Sequence, residues 1–109
     1  MGFQEDAQNE LVGKVSEAEG IAHWGVHEGT VDPQRYFQFK GSTLSYLKWL
    51  FGEEHHLTTD FESHVREPSL SSIRTAIGVL EAARESLRRG WFGTIRSIIS
   101  AEIFGDYME

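Results

Sequence analysis

A chain of 109 residues with 39% apolar and 25% charged residues has the size and composition of one globular domain. It has no cysteine, which excludes disulfides, thiol catalysis and cysteine-ligated zinc. No apolar run approaches the roughly 20 residues that span a bilayer, and the acidic start MGFQEDAQNE is unlike a signal peptide. We therefore predict a cytoplasmic protein without membrane contact. The net charge of −7 argues against a nonspecific nucleic-acid binder, which is usually basic.

The first part of the chain predicts one helix followed by an irregular connector. Residues 1–10 are polar and acidic, and we expect them to fray. The helix is predicted from about Asn9 to Ala22, on a narrow apolar stripe at helical spacing. The stripe consists of Leu11, Val15, Ala18 and Ala22. Glycines then interrupt the pattern, so HWGVHEGTV is interpreted as a connector.

The second helix is predicted from Asp32-Pro33 to Gly52. Asp32 is a suitable N-cap, proline is favoured at the first helical position, and glycine is favoured after the last turn. Gly41 inside this helix predicts the close approach of another helix. The expected inward face is Phe37, Leu44, Leu47 and Phe51, widened by Tyr36, Trp49 and Leu50.

A short helix follows a polar linker, EEHHLTT. Thr59 with Glu62 three residues later fits a capping box that opens a helix over DFESHV. Phe61 and Val65 would face inward. The linker and helix contain Glu53, Glu54, His55, His56, Asp60 and His64, which are metal-ligand types. Adjacent histidines point in different directions, so a solvated linker is the simpler interpretation, and we predict no metal site.

The clearest helix is predicted between Pro68 and Gly90. Pro68 and Ser69 mark its start and Gly90 its end. Its apolar positions recur at helical spacing: Leu70, Ile73, Ala76, Ile77, Leu80, Ala83 and Leu87.

The final segment is also apolar at helical spacing, at Ile95, Ile98, Ile99, Ile103 and Phe104. Because the pattern is still in progress at Glu109, we predict a helix over 95–109 that continues into a further domain of a longer protein; a frayed natural terminus is the alternative. The chain is thus predicted to be a single domain over 1–109. Its predicted fold is an all-α, compact bundle of four main helices plus one short helix.

Positive charge concentrates at the end of the central helix and beyond it, at Arg84, Arg88, Arg89 and Arg96. One hypothesis is a contact surface for phosphate or RNA. The ordinary interpretation, which we favour, is a solvated face. Glu81 and Glu85 are spaced to form ion pairs with the arginines of the same helix.

Catalysis has little support in the sequence. No serine lies in a GxSxG motif, no glycine-rich phosphate loop occurs, and the glutamates are scattered over helix surfaces. We predict that the chain is not an enzyme and uses no cofactor.

Two long stretches, FQFKGSTLSYLKWLFGEEHHLTTDFESHV and SSIRTAIGVLEAARESLRRGWFGTIRSIISAEIFGDYME, carry a resemblance. They are similar to the amino-terminal part of uncharacterised prokaryotic HEPN-associated proteins, in which the last helix leads into a HEPN-like domain. Related modules resemble those attached to TIR-like proteins of phage defence. HEPN ribonucleases share an Arg-x(4–6)-His motif, and no arginine here is followed by histidine at that spacing. The resemblance therefore implies a helical accessory or assembly module, which is not catalytic.

Our functional prediction is a non-catalytic α-helical interaction or oligomerisation module. Its many large aromatic side chains exceed what a small bundle buries, and exposed aromatic patches mark interfaces. The module would self-associate or bind a protein partner through Ile95, Ile98, Ile99, Ile103 and Phe104. One alternative is an RNA-binding accessory part of a HEPN-like ribonuclease, and another is a small acidic inhibitor protein.

Overall fold

The computed structural model describes residues 2–24 and 26–89. They form four α-helices, which are α1 Phe3–His23, α2 Pro33–Phe51, α3 His56–His64 and α4 Leu70–Arg88. The predicted all-α bundle is confirmed. Three of the predicted main helices and the short one are present. The fourth main helix, predicted over 95–109, lies outside the described residues.

α1 lies antiparallel to both α2 and α4. Near its start, Gln8 Nε2 donates to the Arg84 carbonyl at 2.8 Å, at the end of α4. Further along, Lys14 Nζ donates to the Ser42 hydroxyl at 2.9 Å, on α2. α3 packs against both α2 and α4. The largest fully buried side chains of the shared core are Tyr36, Phe39, Phe61, Leu11, Ile21, Leu47, Ile73, Leu80 and Leu87.

The predicted start of the first helix is wrong. α1 begins at Phe3, well before Asn9. Ala7 and Leu11, one turn apart, are buried in the core, and this packing orders a segment that its polar composition suggested would fray. Two acidic residues in the first turn also suit the positive end of the helix dipole.

Both predicted ends of α2 are confirmed. Asp32 Oδ1 accepts from the Gln34 N–H at 3.0 Å, and Pro33 is the first helical residue. Gly52 follows the last turn with φ of +99°, which favours glycine. The predicted close approach at Gly41 is wrong, because among the described residues no neighbouring element comes within 4 Å of where its Cβ would lie.

The buried face of α2 contains Tyr36, Leu47, Leu50 and Phe51 as predicted, and it differs from the prediction at other positions. Phe37 is 52% exposed, whereas Phe39 is fully buried. Trp49 is exposed as well. The residues that α2 buries are Tyr36, Phe39, Thr43, Leu47, Leu50 and Phe51.

The short helix α3 begins earlier than predicted, because its N-cap is His55 and not Thr59. His55 Nδ1 accepts a hydrogen bond from the Leu57 N–H at 3.1 Å. Leu57 is buried, which draws the first turn of α3 onto the core. Phe61 and Val65 are fully buried, as predicted.

A tight turn lies within the connector between α1 and α2. His27 and Thr30 exchange two main-chain hydrogen bonds, each 3.0 Å long. The carbonyl of Gly29 in this turn accepts from the Leu70 N–H at 2.8 Å. The turn therefore ties the entry of α2 to the first residue of α4, an ordered element that the sequence did not predict.

α4 has the predicted start and the predicted apolar face. Ser69 is its N-cap, and its hydroxyl oxygen accepts from the Ser72 N–H at 3.1 Å. The helix buries Ser72, Ile73, Ala76, Leu80, Ala83 and Leu87. The predicted stop at Gly90 lies outside the described residues.

Candidate functional site

Three aromatic rings meet on the surface between α1 and α2. The rings of Phe3 and Trp49 stack, with centroids 5.2 Å apart and planes 25° apart. The Tyr46 ring lies 5.8 Å from the Trp49 ring, with its plane tilted by 34°. Trp49 is nevertheless 65% exposed. A large apolar ring is thus open to solvent beside two others.

The helices bring these rings together through the packing of the core. Tyr46 and Trp49 are three residues apart on α2, so they are neighbours on one side of the helix. Leu47 and Leu50, which follow them directly, are buried, and this places the two rings beside the core-facing stripe. α1 runs antiparallel to α2, so Phe3 at the start of α1 reaches the end of α2.

The rings line a shallow groove of about 250 Å³. Asp6 and Glu10, one helical turn apart on α1, complete its wall. We call this depression the aromatic–acid groove; its lining residues are Phe3, Asp6, Ala7, Glu10, Tyr46 and Trp49. Its volume lies below the roughly 300–1,000 Å³ of typical small-molecule pockets, so it suits one side chain better than a cofactor.

The two carboxylates make the groove electrostatically negative. Burial, with the nearby charges of Glu10 and Asp6, raises the pKa of the Tyr46 phenol to about 12. Burial is the largest cause, and the carboxylates add to it because phenolate would be repelled by them. Aromatic faces and carboxylates both attract cations. The groove can therefore bind a positive group, and it opposes a phosphate.

The arginines singled out in the sequence form ion pairs on α4. Arg84 Nη1 lies 3.2 Å from Glu81 Oε1. Arg88 and Arg89 share Glu85, with Nη2 and Nε at 2.6 and 2.8 Å from its Oε1. These are the pairs that the ordinary interpretation anticipated.

Arg88 and Arg89 both donate to the same surface carboxylate. Hydrogen bonds from Arg88 and then from Arg89 lower the pKa of Glu85 to about 2. An arginine that already pairs with a carboxylate offers less positive potential to a phosphate group. The predicted RNA contact at Arg84, Arg88 and Arg89 stays a prediction with this geometry against it, and Arg96 lies outside the described residues.

The histidine-rich linker has a structural role at the start of α3. The His55 ring stacks on Phe51 at 4.9 Å and lies 4.5 Å from the His56 ring. Its Nδ1 caps α3. Across residues 2–24 and 26–89, no three side chains of the His, Cys, Asp and Glu types converge as they would around a metal ion.

The sequence did not find the aromatic–acid groove, and the reason lies in α1. Phe3, Asp6 and Glu10 fell in the segment expected to fray. One signal was available, because Phe3, Ala7 and Leu11 recur four residues apart and extend the apolar stripe to the start of the chain. The predicted interface of Ile95, Ile98, Ile99, Ile103 and Phe104 lies outside the described residues.

Comparison with protein-family models, with curated proteins and with solved structures gives no match to this chain. The resemblance to HEPN-associated modules accordingly stays a prediction. None of the four described helices is long and apolar enough to cross a bilayer.

Proposed function

We propose that this chain is a non-catalytic α-helical interaction module, which binds a positively charged segment of another protein in its aromatic–acid groove. One observation carries the proposal: Trp49 is 65% exposed in a groove that also contains two carboxylates. Tryptophan is among the residues that contribute most to binding energy at interfaces, because its burial removes a large apolar area from water.

The groove is prepared for binding before a partner arrives. Trp49 already packs against Phe3 and Tyr46, and these contacts restrict its ring. A side chain that is already ordered avoids about 0.5–1.5 kcal/mol of ordering cost on association. Asp6 and Glu10 supply the charge that selects a basic partner.

The charge of the whole chain favours the same class of partner. At −7, two copies repel each other at long range, whereas a basic segment is attracted. A nucleic acid would place phosphates against Asp6 and Glu10. A basic protein segment therefore fits the groove better than a second copy or an RNA strand.

The experiment is a nuclear magnetic resonance titration with a short Gly/Ser peptide that carries alternating lysine and arginine. The chain has three tryptophans, whose indole N–H signals can be followed separately, with Trp49 assigned through Trp49→Phe. We expect the Trp49 signal to shift saturably and the Trp24 signal to stay in place. Trp24 is a matched internal control, because it is 71% exposed but lies outside the groove.

Charge reversal and charge removal complete the test. A peptide with glutamates in place of the basic residues should leave Trp49 unshifted. Asp6→Asn with Glu10→Gln should weaken the binding of the basic peptide, and salt at about 1 M, where the Debye length is about 3 Å, should weaken it as well. If the Trp49 signal does not move at low salt, the proposed function is wrong.

Self-association is the second activity proposed for the module, and it rests on the sequence of the last segment. Ile99→Lys with Phe104→Lys should lower the solution mass measured by light scattering over a concentration series, because charges oppose an apolar contact. Val12→Lys is the control, since Val12 is an exposed apolar residue on α1. A mass that is the same for the chain and the double variant would contradict this part of the proposal.

A further inference from the structure

The aromatic–acid groove attracts positively charged side chains, of which lysine and arginine are the two common kinds. The arrangement of the rings and carboxylates in the groove distinguishes between them. We propose that the ligand of the groove is an arginine side chain rather than a lysine side chain. This inference rests on the proposed function and deepens it by naming the group that the groove recognises.

The orientation of the rings is the first argument. Trp49 stacks on Phe3 with planes 25° apart, and the Tyr46 plane is tilted from it by 34°, so neither ring meets Trp49 at a right angle as the walls of a box would. The exposed Trp49 ring is therefore available as a flat plate. A guanidinium is planar and stacks face to face on such a plate. An ammonium group is compact and is held best where several rings surround it, as in the aromatic cages that bind methylated lysine.

The carboxylates provide the second argument. Asp6 and Glu10 are one turn apart on α1 and lie in the same wall of the groove. A guanidinium has five N–H donors in a fixed plane, and it can donate to one or both carboxylates while its face rests on a ring. An ammonium group can also pair with the carboxylates, but it has no flat face with which to stack on a ring at the same time.

Desolvation is the third argument. Tyr46 is half-buried in the wall of the groove, so a side chain that binds beside it gives up part of its water. A guanidinium is more weakly hydrated than an ammonium group, so this loss costs it less. The size of the groove, about 250 Å³, suits a single long side chain.

The test compares two Gly/Ser peptides of equal length and charge, one with arginine at every basic position and the other with lysine. We expect the arginine peptide to shift the Trp49 indole signal with an affinity about two- to fivefold higher, in keeping with stacking on an exposed ring. Affinities that agree within twofold would overturn the inference and leave the proposed function intact. If neither peptide binds, both the inference and the proposed function are wrong.

Two variants separate the stacking from the charge. Trp49→Leu removes the ring on which arginine is proposed to stack, so it should remove the preference for arginine. Trp24→Leu should keep that preference. For these variants, binding is measured by calorimetry. Because both tryptophans are exposed, neither change is expected to unfold the chain. Asp6→Asn with Glu10→Gln should weaken both peptides. An arginine preference that persists in Trp49→Leu would contradict the role assigned to the ring.

Discussion

The side-chain amide of Gln4 donates a 2.6 Å hydrogen bond to the main-chain carbonyl of Leu87, which lies 83 positions later in the chain. Leu87 is in the last turn of α4, where the carbonyls lie beyond the regular hydrogen-bond pattern of the helix. Gln8 makes the equivalent bond to the Arg84 carbonyl one turn earlier. Side chains at the start of α1 thus donate hydrogen bonds to main-chain carbonyls at the end of α4. These bonds help to order the helix that carries Asp6 and Glu10.

Gln4→Ala should therefore lower the free energy of unfolding by about 1 kcal/mol, the usual contribution of one hydrogen bond. Gln4→Glu should lower it as well, because a carboxylate cannot donate and its charge faces the negative end of the α4 dipole, which offsets its favourable place in the first turn of α1. The measurement is urea unfolding followed by circular dichroism. Gln38→Ala, at an exposed site on α2, is the control and should change little.

The tight turn before α2 contains one residue, Glu28, whose backbone conformation is unfavourable for its side chain. Glu28 has φ of +51° and Gly29 has φ of +83°, the conformation of a two-residue turn with both central residues left-handed. Asparagine tolerates this region better than glutamate, so Glu28→Asn should raise the free energy of unfolding by about 0.5–1 kcal/mol. Thermal unfolding would show this as a higher Tm.

Gly29→Ala is the opposite test of the same turn. It should lower the free energy of unfolding by about 1–2 kcal/mol, since a Cβ is disfavoured at positive φ. Gly13→Ala, inside α1 with open space at the Cβ position, is the control and should stabilise the helix by up to about 1 kcal/mol. Equal effects of the two glycine changes would show that the turn conformation is not the cause.

The fold was largely predictable because both ends of α2 and the start of α4 carry strong local signals. Asp32-Pro33, Gly52 and Ser69 were read correctly from capping chemistry alone. The inner face of α2 was predicted only in part, because the buried stripe has a polar residue, Thr43, at its centre. The predicted face with Phe37 contains only apolar residues, so it matches an amphipathic helix better than the face that α2 buries.

The candidate site was less predictable, since it depends on contacts that are distant in sequence. Tyr46 and Trp49 form part of a groove only because α1 lies beside α2 and places Phe3, Asp6 and Glu10 next to them. That packing rests on Ala7 and Leu11, whose burial follows from the tertiary structure. The ion pairs on α4 were predictable because both partners are on one helix, at spacings of three and four.

His55 should make the stability of α3 depend on pH. Burial and the neighbouring charge of His56 lower the pKa of His55 below its ordinary value of 6.5. Nδ1 must be unprotonated to accept from the Leu57 N–H, so the folded chain favours the neutral ring. Between the lowered pKa and 6.5 the unfolded chain binds more protons. The contribution of His55 is therefore complete above about pH 6.5 and decreases as the pH falls.

Two variants at this position isolate the effect in unfolding experiments at several pH values. His55→Asn keeps a capping acceptor without a titrating ring but loses the stacking on Phe51, so above pH 6.5 it should be somewhat less stable than the parent, and its stability should fall less than that of the parent in acid. His55→Ala should lose about 1 kcal/mol at neutral pH, because the cap is absent. If His55→Asn showed the same loss of stability in acid as the parent, another group would be responsible.

Thr43 offers the last test, at the centre of the buried face of α2. Its side chain is fully buried, and its hydroxyl has no hydrogen-bond partner among the described residues. Thr43→Val keeps the shape of the side chain and removes a buried polar atom that lacks a partner, so the free energy of unfolding should rise by about 1 kcal/mol. Thr43→Ala is the control for volume and should lower it instead, because it leaves a cavity. Destabilisation by Thr43→Val in urea unfolding would mean that the hydroxyl is satisfied in solution.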